Sequence, residues 1–298
     1  MSYRVIECEQ GSAEWHLARS GLITASMFST AVSVVSTLDE KQRAYVDAIL
    51  ADKGEEAARA IAGYKAPPRA QSVADAIAGK PTVSPSSASI AYCDEIAFER
   101  ISGEPYGDTY QTHAMRRGSE EEMWARARYE ELYDVEIIET GVAVTEDGKF
   151  GYSTDGQVRG QRGGIEIKTP SSTAKLRELV KSLDLSEYEH QVQGGMWIRG
   201  WEWVDNIIWM PQLKNVRNEI LVKRVYRDDD FIDDMVEKLL AFDARVVEAI
   251  NFWSTPFRRD GLDTNVLPTD APTDLEPRMA SPKVAGPLTS PLAALLSA

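Results

Sequence analysis

The chain has 298 residues, 43% of them hydrophobic, enough to bury a sizeable core in one large domain or two small ones. Its formal charge is −14, from 47 acidic against 33 basic residues, which excludes a protein that coats nucleic acid through a generally basic surface, so any DNA contact is local. Two cysteines, Cys8 and Cys93, are too few for a disulfide framework and lack metal-site spacing, and no run of about 18 apolar residues or leader pattern is present; a soluble, cytoplasmic protein without membrane contact is expected.

Ser12 is placed to cap a helix through EWHLARS; Gly21 breaks it, and Thr24 opens a second helix through ASMFSTAV. The alanine-rich stretch from Lys41 to Ala62 reads as helix. GYKAPPRAQSVADAIAGKPTVSPSS, with its prolines and small polar residues, reads as a loop holding one short helix. SASIAYCDEIAFERISG and MRRGSEEEMWARARYEELYD carry apolar residues at three- and four-residue spacing and make two helices.

From Val135 the pattern changes to strands. VEIIETGVAVTED, KFGYSTDGQV and GIEIKTP are short, β-branched or alternating, and separated by DG and RGQRGG turn signals, which predicts a meander. Residues 172–199 return to helix, EWVDNIIWMP and EILVKRVY supply two more strands, and DDDFIDDMVEKLLAFDARVVEAINFW is a long amphipathic helix. The fold class is α/β, a central sheet flanked by helices. The acidic runs at Glu120–Glu139 and Asp228–Asp234 are ordinarily solvated helix faces, although some members could hold metal.

After Pro256 the composition changes again, the last 43 residues holding seven of the 14 prolines. Residues 1–256 are therefore taken as the folded domain and 257–298 as a disordered, proline-rich tail. The end of the tail, SPLAALLSA, has a capping Ser290, Pro291 at a first-turn position, and Leu288, Leu292, Leu295 and Leu296 at helical spacing. Two readings stay open: a frayed terminus, or a docking peptide that folds on a partner or a sister subunit.

GIEIKTP carries the chemistry. On a strand, Glu166 and Lys168 share one face while Ile165 and Ile167 share the other. An isolated E-x-K triplet is ordinarily an exposed edge strand with a cross-strand ion pair. Here Asp155 sits at a turn in the preceding strand, and a hairpin brings it beside Glu166. Two carboxylates and a lysine then converge, a set suited to divalent, oxygen-ligated metals and to phosphodiester cleavage.

Asp155, ten residues, Glu166, one residue and Lys168 together resemble the signature of PD-(D/E)XK nucleases, with Thr154 where the eponymous proline often stands. EWHLARSGLITAS resembles the W-H-x-x-R-x-G-x-I-T-A-S opening of the phage lambda exonuclease family, the YqaJ-like viral recombinases. MRRGSEEEMWARARYE is similar to that family's G-x-x-x-E-x-x-A helix, and YEHQVQGGMWI to its Y-x-x-Q-V-Q-x-x-M-W helix, in family order over about residues 11–252.

The resemblance implies a restriction-endonuclease-like core, a mixed sheet flanked by helices. It also implies an exonuclease that digests one strand of duplex DNA from the 5′ end and leaves a 3′ overhang for recombination. By position, Glu122, Asp155, Glu166 and the backbone carbonyl of Ile167 would ligate Mg²⁺, two ions with Mn²⁺ able to substitute, and Lys168 would orient the nucleophilic water. Glu120 and Glu121 read instead as a solvated helix start. Gln191 would support the lysine or the water, Tyr188 reads as packing, and Arg19 and Ser26 fall where the family binds the terminal 5′ phosphate. Trp15 and His16 read as scaffold, and His113 and His190 lack a ligand-spaced partner.

Arg159, Arg162 and Lys175 are candidate DNA-backbone contacts set against ordinary surface roles; the chain departs from the lambda enzyme at Thr173, where that enzyme has an arginine soon after its lysine. The implied partners are double-stranded DNA ends, two sister copies in a ring-shaped homotrimer, and a phage single-strand annealing protein. Competing readings are an endonuclease on the same core, a DNA-end-binding recombination scaffold without nuclease activity, and a metal-binding or interaction protein with no nucleic acid.

Overall fold

The computed structural model describes residues 2–107, 113–170 and 172–255, with 113–120 as backbone alone. Strand β1 (Tyr3–Ile6) precedes α1 (Ala13–Arg19), whose N-cap Ser12 accepts the Trp15 amide at 3.1 Å, a cap worth about 1 kcal/mol. Gly21, at φ +74°, turns the chain where the sequence places the break. The second helix is shorter than expected. Ile23–Thr24 form strand β2 and Thr24 makes no side-chain cap; a 3-10 turn over Ala25–Met27 leads into α2 (Phe28–Ala31). Tertiary pairing overrides local propensity here, because Ile23 pairs in parallel with Phe150 and is fully buried.

Residues 34–85 form a helical excursion: β3 (Val34–Ser36), α3 (Glu40–Leu50), α4 (Glu55–Ala62), α5 (Gln71–Ile77) and β4 (Val83–Pro85). The continuous helix expected from Lys41 to Ala62 is broken at Asp52 and Gly54, at φ +54° and +82°. The break folds α4 back on α3 to bury Tyr45, Val46, Ala58 and Ala62 in a small core of their own. β3 pairs antiparallel with β4 and closes the neck.

Helices α6 (Ser87–Ser102) and α7 (His113–Tyr133) follow, then strands β5 (Ile137–Ile138), β6 (Val142–Thr145), β7 (Phe150–Ser153), β8 (Gly156–Val158) and β9 (Gly163–Lys168). The helical stretch expected at 172–199 is α8 (Thr173–Ser182), a 3-10 turn at Ser186–Tyr188 and α9 (Glu189–Arg199). Strands β10 (Trp203–Trp209) and β11 (Ile220–Tyr226) and helix α10 (Asp229–Trp253) complete the described chain.

The strands make two principal sheets instead of one meander, in the orders β1-β6-β7-β2 and β11-β10-β9-β8-β5. β7 and β8 are consecutive yet lie in different sheets, so the chain changes sheet at Thr154 and Asp155. Thr154 stabilises the crossing: its Oγ1 accepts the Gly156 amide at 3.2 Å and lies 3.1 Å from the Ile165 carbonyl oxygen. The five-stranded sheet is mixed, β9 running parallel to β10 and antiparallel to β8.

α7 covers one face of that sheet, where Ala125 and Tyr129 pack with Ile165, Ile167, Ile207 and Trp209. Val204 belongs to a larger core with Met196 of α9, and Ile232, Leu239 and Phe242 of α10. Full burial of each such large side chain contributes about 1.5–3 kcal/mol. Gly194 and Gly195 let α9 approach closely: a Cβ on Gly195 would meet the Tyr152 ring at 2.4 Å, and one on Gly194 the Phe28 ring at 2.6 Å.

Residues 1–255 form one compact unit. The expected tail and its docking segment lie outside the described residues, as do the side chains of His113 and Glu120. Among the described residues no helix is long and apolar enough to cross a membrane.

Candidate active site

Alternation puts Glu166 and Lys168 on one face of β9, but β9 is an interior strand between β8 and β10, not the exposed edge an isolated E-x-K triplet would suggest. Glu166 is 1% exposed. Its Oε1 accepts the Tyr152 hydroxyl at 2.7 Å, and its Oε2 accepts Lys168 Nζ at 3.1 Å and Gln191 Nε2 at 2.6 Å. Lys168 Nζ also donates to Gln191 Oε1 at 3.0 Å and lies 5.1 Å from the centre of the Tyr188 ring. Burial pushes the Glu166 carboxyl up to about 7, with Lys168 opposing the rise and Asp155 adding to it. Burial alone would pull Lys168 down; the Glu166 and Asp155 charges hold it above its usual value.

Asp155 stands at the sheet crossing, one residue before the Gly156–Ile165 pair of β8 and β9, which brings it to the Glu166 end of that hairpin. Its Oδ2 accepts the Ile167 amide at 2.6 Å, while Gln10 Nε2 lies 3.5 Å from Oδ1. Glu122 comes from α7, one turn before Ala125 and two before Tyr129, the residues that seat the helix on the sheet. Burial, then the Asp155 charge, push its carboxyl up to about 7; Arg126 opposes them, and Glu166 and Lys168 also act on it. Arg126 is anchored by Nη1 on the Asp155 carbonyl oxygen at 3.1 Å and by an ion pair with Glu139.

Among the described residues no three His, Cys, Asp or Glu side chains already form a ligand cage. The donor chemistry nevertheless fits a hard divalent cation. Three carboxylates act on one another with a single nearby lysine, two of them pushed up to about 7, and a bound cation would relieve that repulsion. Glu122, Asp155, Glu166 and the Ile167 carbonyl are the oxygens on hand. Glu121, read as a solvated helix start, instead accepts Trp209 Nε1 at 2.9 Å and fastens α7 to β10.

The second group of residues lies on α1 and the turn after it. Arg19 Nη2 reaches Thr24 Oγ1 and Ser26 Oγ, each at 3.4 Å, and its guanidinium stacks 4.2 Å over the Trp15 ring. Trp15 is fixed in turn by Nε1 donating to Ser153 Oγ at 2.8 Å. Burial lowers the Arg19 pKa, while Tyr92, Glu99 and Glu166 act in the opposite direction, so Arg19 lies within electrostatic range of the β9 carboxylate. The turn itself is clamped from α6: Glu99 Oε2 accepts the Gly21 amide at 2.7 Å, and Arg100 Nε donates to the Gly21 carbonyl oxygen at 2.9 Å.

The candidate DNA-backbone cations behave differently. Arg159 pairs with Glu136; Arg162 pairs with Glu202 and caps the Gly200 carbonyl; Lys175 pairs with Glu187. Only Lys175 flanks the cluster, 5.7 Å from the Tyr188 ring that Lys168 also faces. Thr173 is the first residue of α8, behind the Ser172 cap. His190 packs on the Phe231 ring and His16 on Trp15. Sequence reasoning missed Tyr152, Gln10, Arg126 and Glu99; Tyr152, Arg126 and Glu99 each lay within a quoted stretch, as a strand aromatic before Asp155, a basic residue after Glu122 and one acid on a helix.

Residues 68–202 match the model of the YqaJ-like viral recombinase domain. Among solved structures, the chain is similar to the alkaline exonuclease LHK-Exo from Laribacter hongkongensis, at 24% identity and a TM-score of 0.56, over 81% of this chain and 96% of that one. A second structure of LHK-Exo, in complex with dAMP, gives 25% identity and a TM-score of 0.58 over the same shares. No curated protein matches the chain. The resemblance carried by the motifs is thus found again in a recombinase domain and in an exonuclease fold.

Proposed function

Starting from a YqaJ-like recombinase domain on a nuclease fold, we propose that the chain is a Mg²⁺-dependent exonuclease that digests one strand of linear double-stranded DNA from its 5′ end. The product is a 3′ single-stranded overhang for recombination. The observation that supports this best is the interlocked Glu166–Lys168–Gln191 group beside Asp155 and Glu122, within electrostatic range of Arg19.

Glu122, Asp155, Glu166 and the Ile167 carbonyl would hold Mg²⁺, a pair of ions that Mn²⁺ could replace, supplying charge to offset the phosphate and a more acidic attacking water. Lys168, anchored between Glu166 and Gln191, would orient that water and carry positive charge to the developing anion. As the water oxygen bonds to phosphorus, the bond to the 3′ oxygen of the terminal nucleotide breaks. A 5′-mononucleotide leaves, and the shortened strand begins with a new 5′ phosphate. Arg19 and Ser26 would seat that phosphate, the arginine fork being held flat on Trp15. LHK-Exo was crystallised with dAMP, a mononucleotide of the kind such cleavage releases.

The same reading extends to a homotrimer around the duplex, a phage single-strand annealing protein as partner, and action in the cytoplasm of a bacterial host. The test follows 5′-end label on linear duplex, with Mg²⁺ or EDTA, for wild type and Lys168→Ala, with circular duplex alongside. Label loss that needs Mg²⁺, fails in the variant and spares circles is expected. Cutting of circles would replace the reading with an endonuclease, and binding without digestion in any metal with an end-binding scaffold.

A further inference from the structure

α7 presents a second face beside the candidate site. Glu121, Trp124 and Arg128, at three- and four-residue spacing, line a groove of about 580 Å³ with Trp209, Lys214 and Arg217 on the other wall. That volume lies within the range of about 300–1,000 Å³ typical of ligand sites. Three carboxylates share the groove with Arg128, Lys214 and Arg217, and the second Glu219 oxygen has no hydrogen-bond partner among the described residues. Glu121 accepts Trp209 Nε1, and Arg128 pairs with Glu131 at 2.7 Å and Glu219 at 2.9 Å. Lys214 and Arg217 are exposed and form no ion pair within 4 Å among the described residues, although the Lys214 charge acts on the Glu219 carboxylate. Trp124 is 60% exposed and lines the groove between these walls.

At the cavity lined by Arg162 and Arg227 both arginines are instead paired, with Glu202 and Asp229. An exposed indole with two unpaired cations, on a chain of net charge −14, complements a polyanion that carries flat rings. Position narrows the class. Glu121 adjoins Glu122, and Trp209 follows Ile208, which pairs with Lys168 across the sheet, so the groove opens at the catalytic end of β9 and β10.

We propose that this groove binds single-stranded DNA, with Trp124 stacking on a base and Lys214 and Arg217 contacting phosphates. The inference rests on the proposed exonuclease reading, in which digestion of one strand leaves the other single-stranded beside the site.

Anisotropy of a fluorescein-labelled oligodeoxythymidylate, titrated with the full chain in EDTA, tests it. Trp124→Ala should weaken binding about tenfold, as loss of one base stack does, and Trp124→Phe should restore most of it. The Lys214→Ala/Arg217→Ala variant should flatten the slope of log affinity against log salt by about 1.4, the effect of two fewer phosphate contacts on a single strand. All three should still digest 5′-phosphorylated duplex. Wild-type single-strand affinity and salt slope in variants of unchanged thermal midpoint would overturn the groove while leaving the nuclease reading intact. A change in sedimentation in place of affinity would overturn it too, making the face a contact between copies. A wild type that neither binds nor digests any DNA would remove both readings.

Discussion

The two halves of the candidate site are built in opposite ways. Around Glu166 the bonds run from side chain to side chain, with Tyr152, Lys168 and Gln191 all converging on one buried carboxylate. In the turn after Arg19 the short bonds run from side chain to backbone, where Glu99 and Arg100 grip the Gly21 amide and carbonyl, and the half-buried arginine itself reaches two hydroxyls loosely, at 3.4 Å. The first half cannot lose Glu166 or Lys168 without leaving the other charge buried and unpaired, which is costly. The second can lose its guanidinium with the turn still in place. Chemistry should therefore fail in the first half and end recognition in the second.

The largest effect expected is from Lys168→Ala. Removing the cation paired with Glu166 should lower kcat by about 10²–10³-fold, as loss of a transition-state donor does, with KM little changed, in single-turnover digestion of linear duplex. Arg19→Ala should fall on the other side of the comparison. Loss of a charged hydrogen bond, about 1.5–3 kcal/mol, should reduce kcat/KM by about 10–100-fold on 5′-phosphorylated ends and leave 5′-hydroxyl ends unaffected. Equal losses on both kinds of end would erase the proposed division of labour.

Acid should loosen the arginine half through Asp243. This carboxylate is buried, and burial alone would raise its pKa; hydrogen bonds from Lys149 and Arg100, each at 2.7 Å, more than reverse that and leave it below the usual value. Arg100 is the residue that holds the Gly21 carbonyl, and the Lys149 carbonyl accepts the Ile23 amide at 2.9 Å. A depressed folded-state pKa gives stability that is present above the unfolded carboxylate value, near 4, and is lost as pH falls through the folded one. Asp243→Asn should thus cost about 1–3 kcal/mol at neutral pH, and the gap between wild-type and variant thermal midpoints should close on acidification. A gap that stays constant with pH would mean that the charge contributes nothing.

How much of this was legible follows the same division. Asp155, Glu166 and Lys168 lie within one strand-turn-strand, so alternation and a turn signal were enough to bring them together. Gln191 and Arg19 came through motif spacing. What escaped was set by partners distant in sequence. The sheet crossing at Thr154 depends on β1, β6 and β10 as much as on its own residues, and nothing in KFGYSTDGQV separates a meander from a change of sheet. Tyr152 looked like an ordinary core aromatic until Glu166 came beneath its hydroxyl. The break in the first long helical stretch was legible in principle, since Gly54 adopts a backbone conformation that helices exclude.

Glu99 escaped for the same reason, as one acid on an amphipathic helix, and it carries the subtlest test of the comparison. Its two oxygens divide their work: Oε2 takes the Gly21 amide at 2.7 Å and Oε1 the Tyr106 amide at 2.9 Å. Both partners are donors, so a carboxylate serves both while a carboxamide serves only one. In Glu99→Gln the NH₂ group must face one of those amides, costing about 1 kcal/mol and releasing either the turn that carries Arg19 or the segment after α6. If the turn is released, KM for 5′-phosphorylated duplex should rise about fivefold with kcat unchanged, and the preference for phosphate over hydroxyl ends should shrink by the same factor. A residue that only supported the fold would lower the thermal midpoint and leave that preference untouched. Measuring both on one preparation separates a positioning role for Glu99 from a structural one.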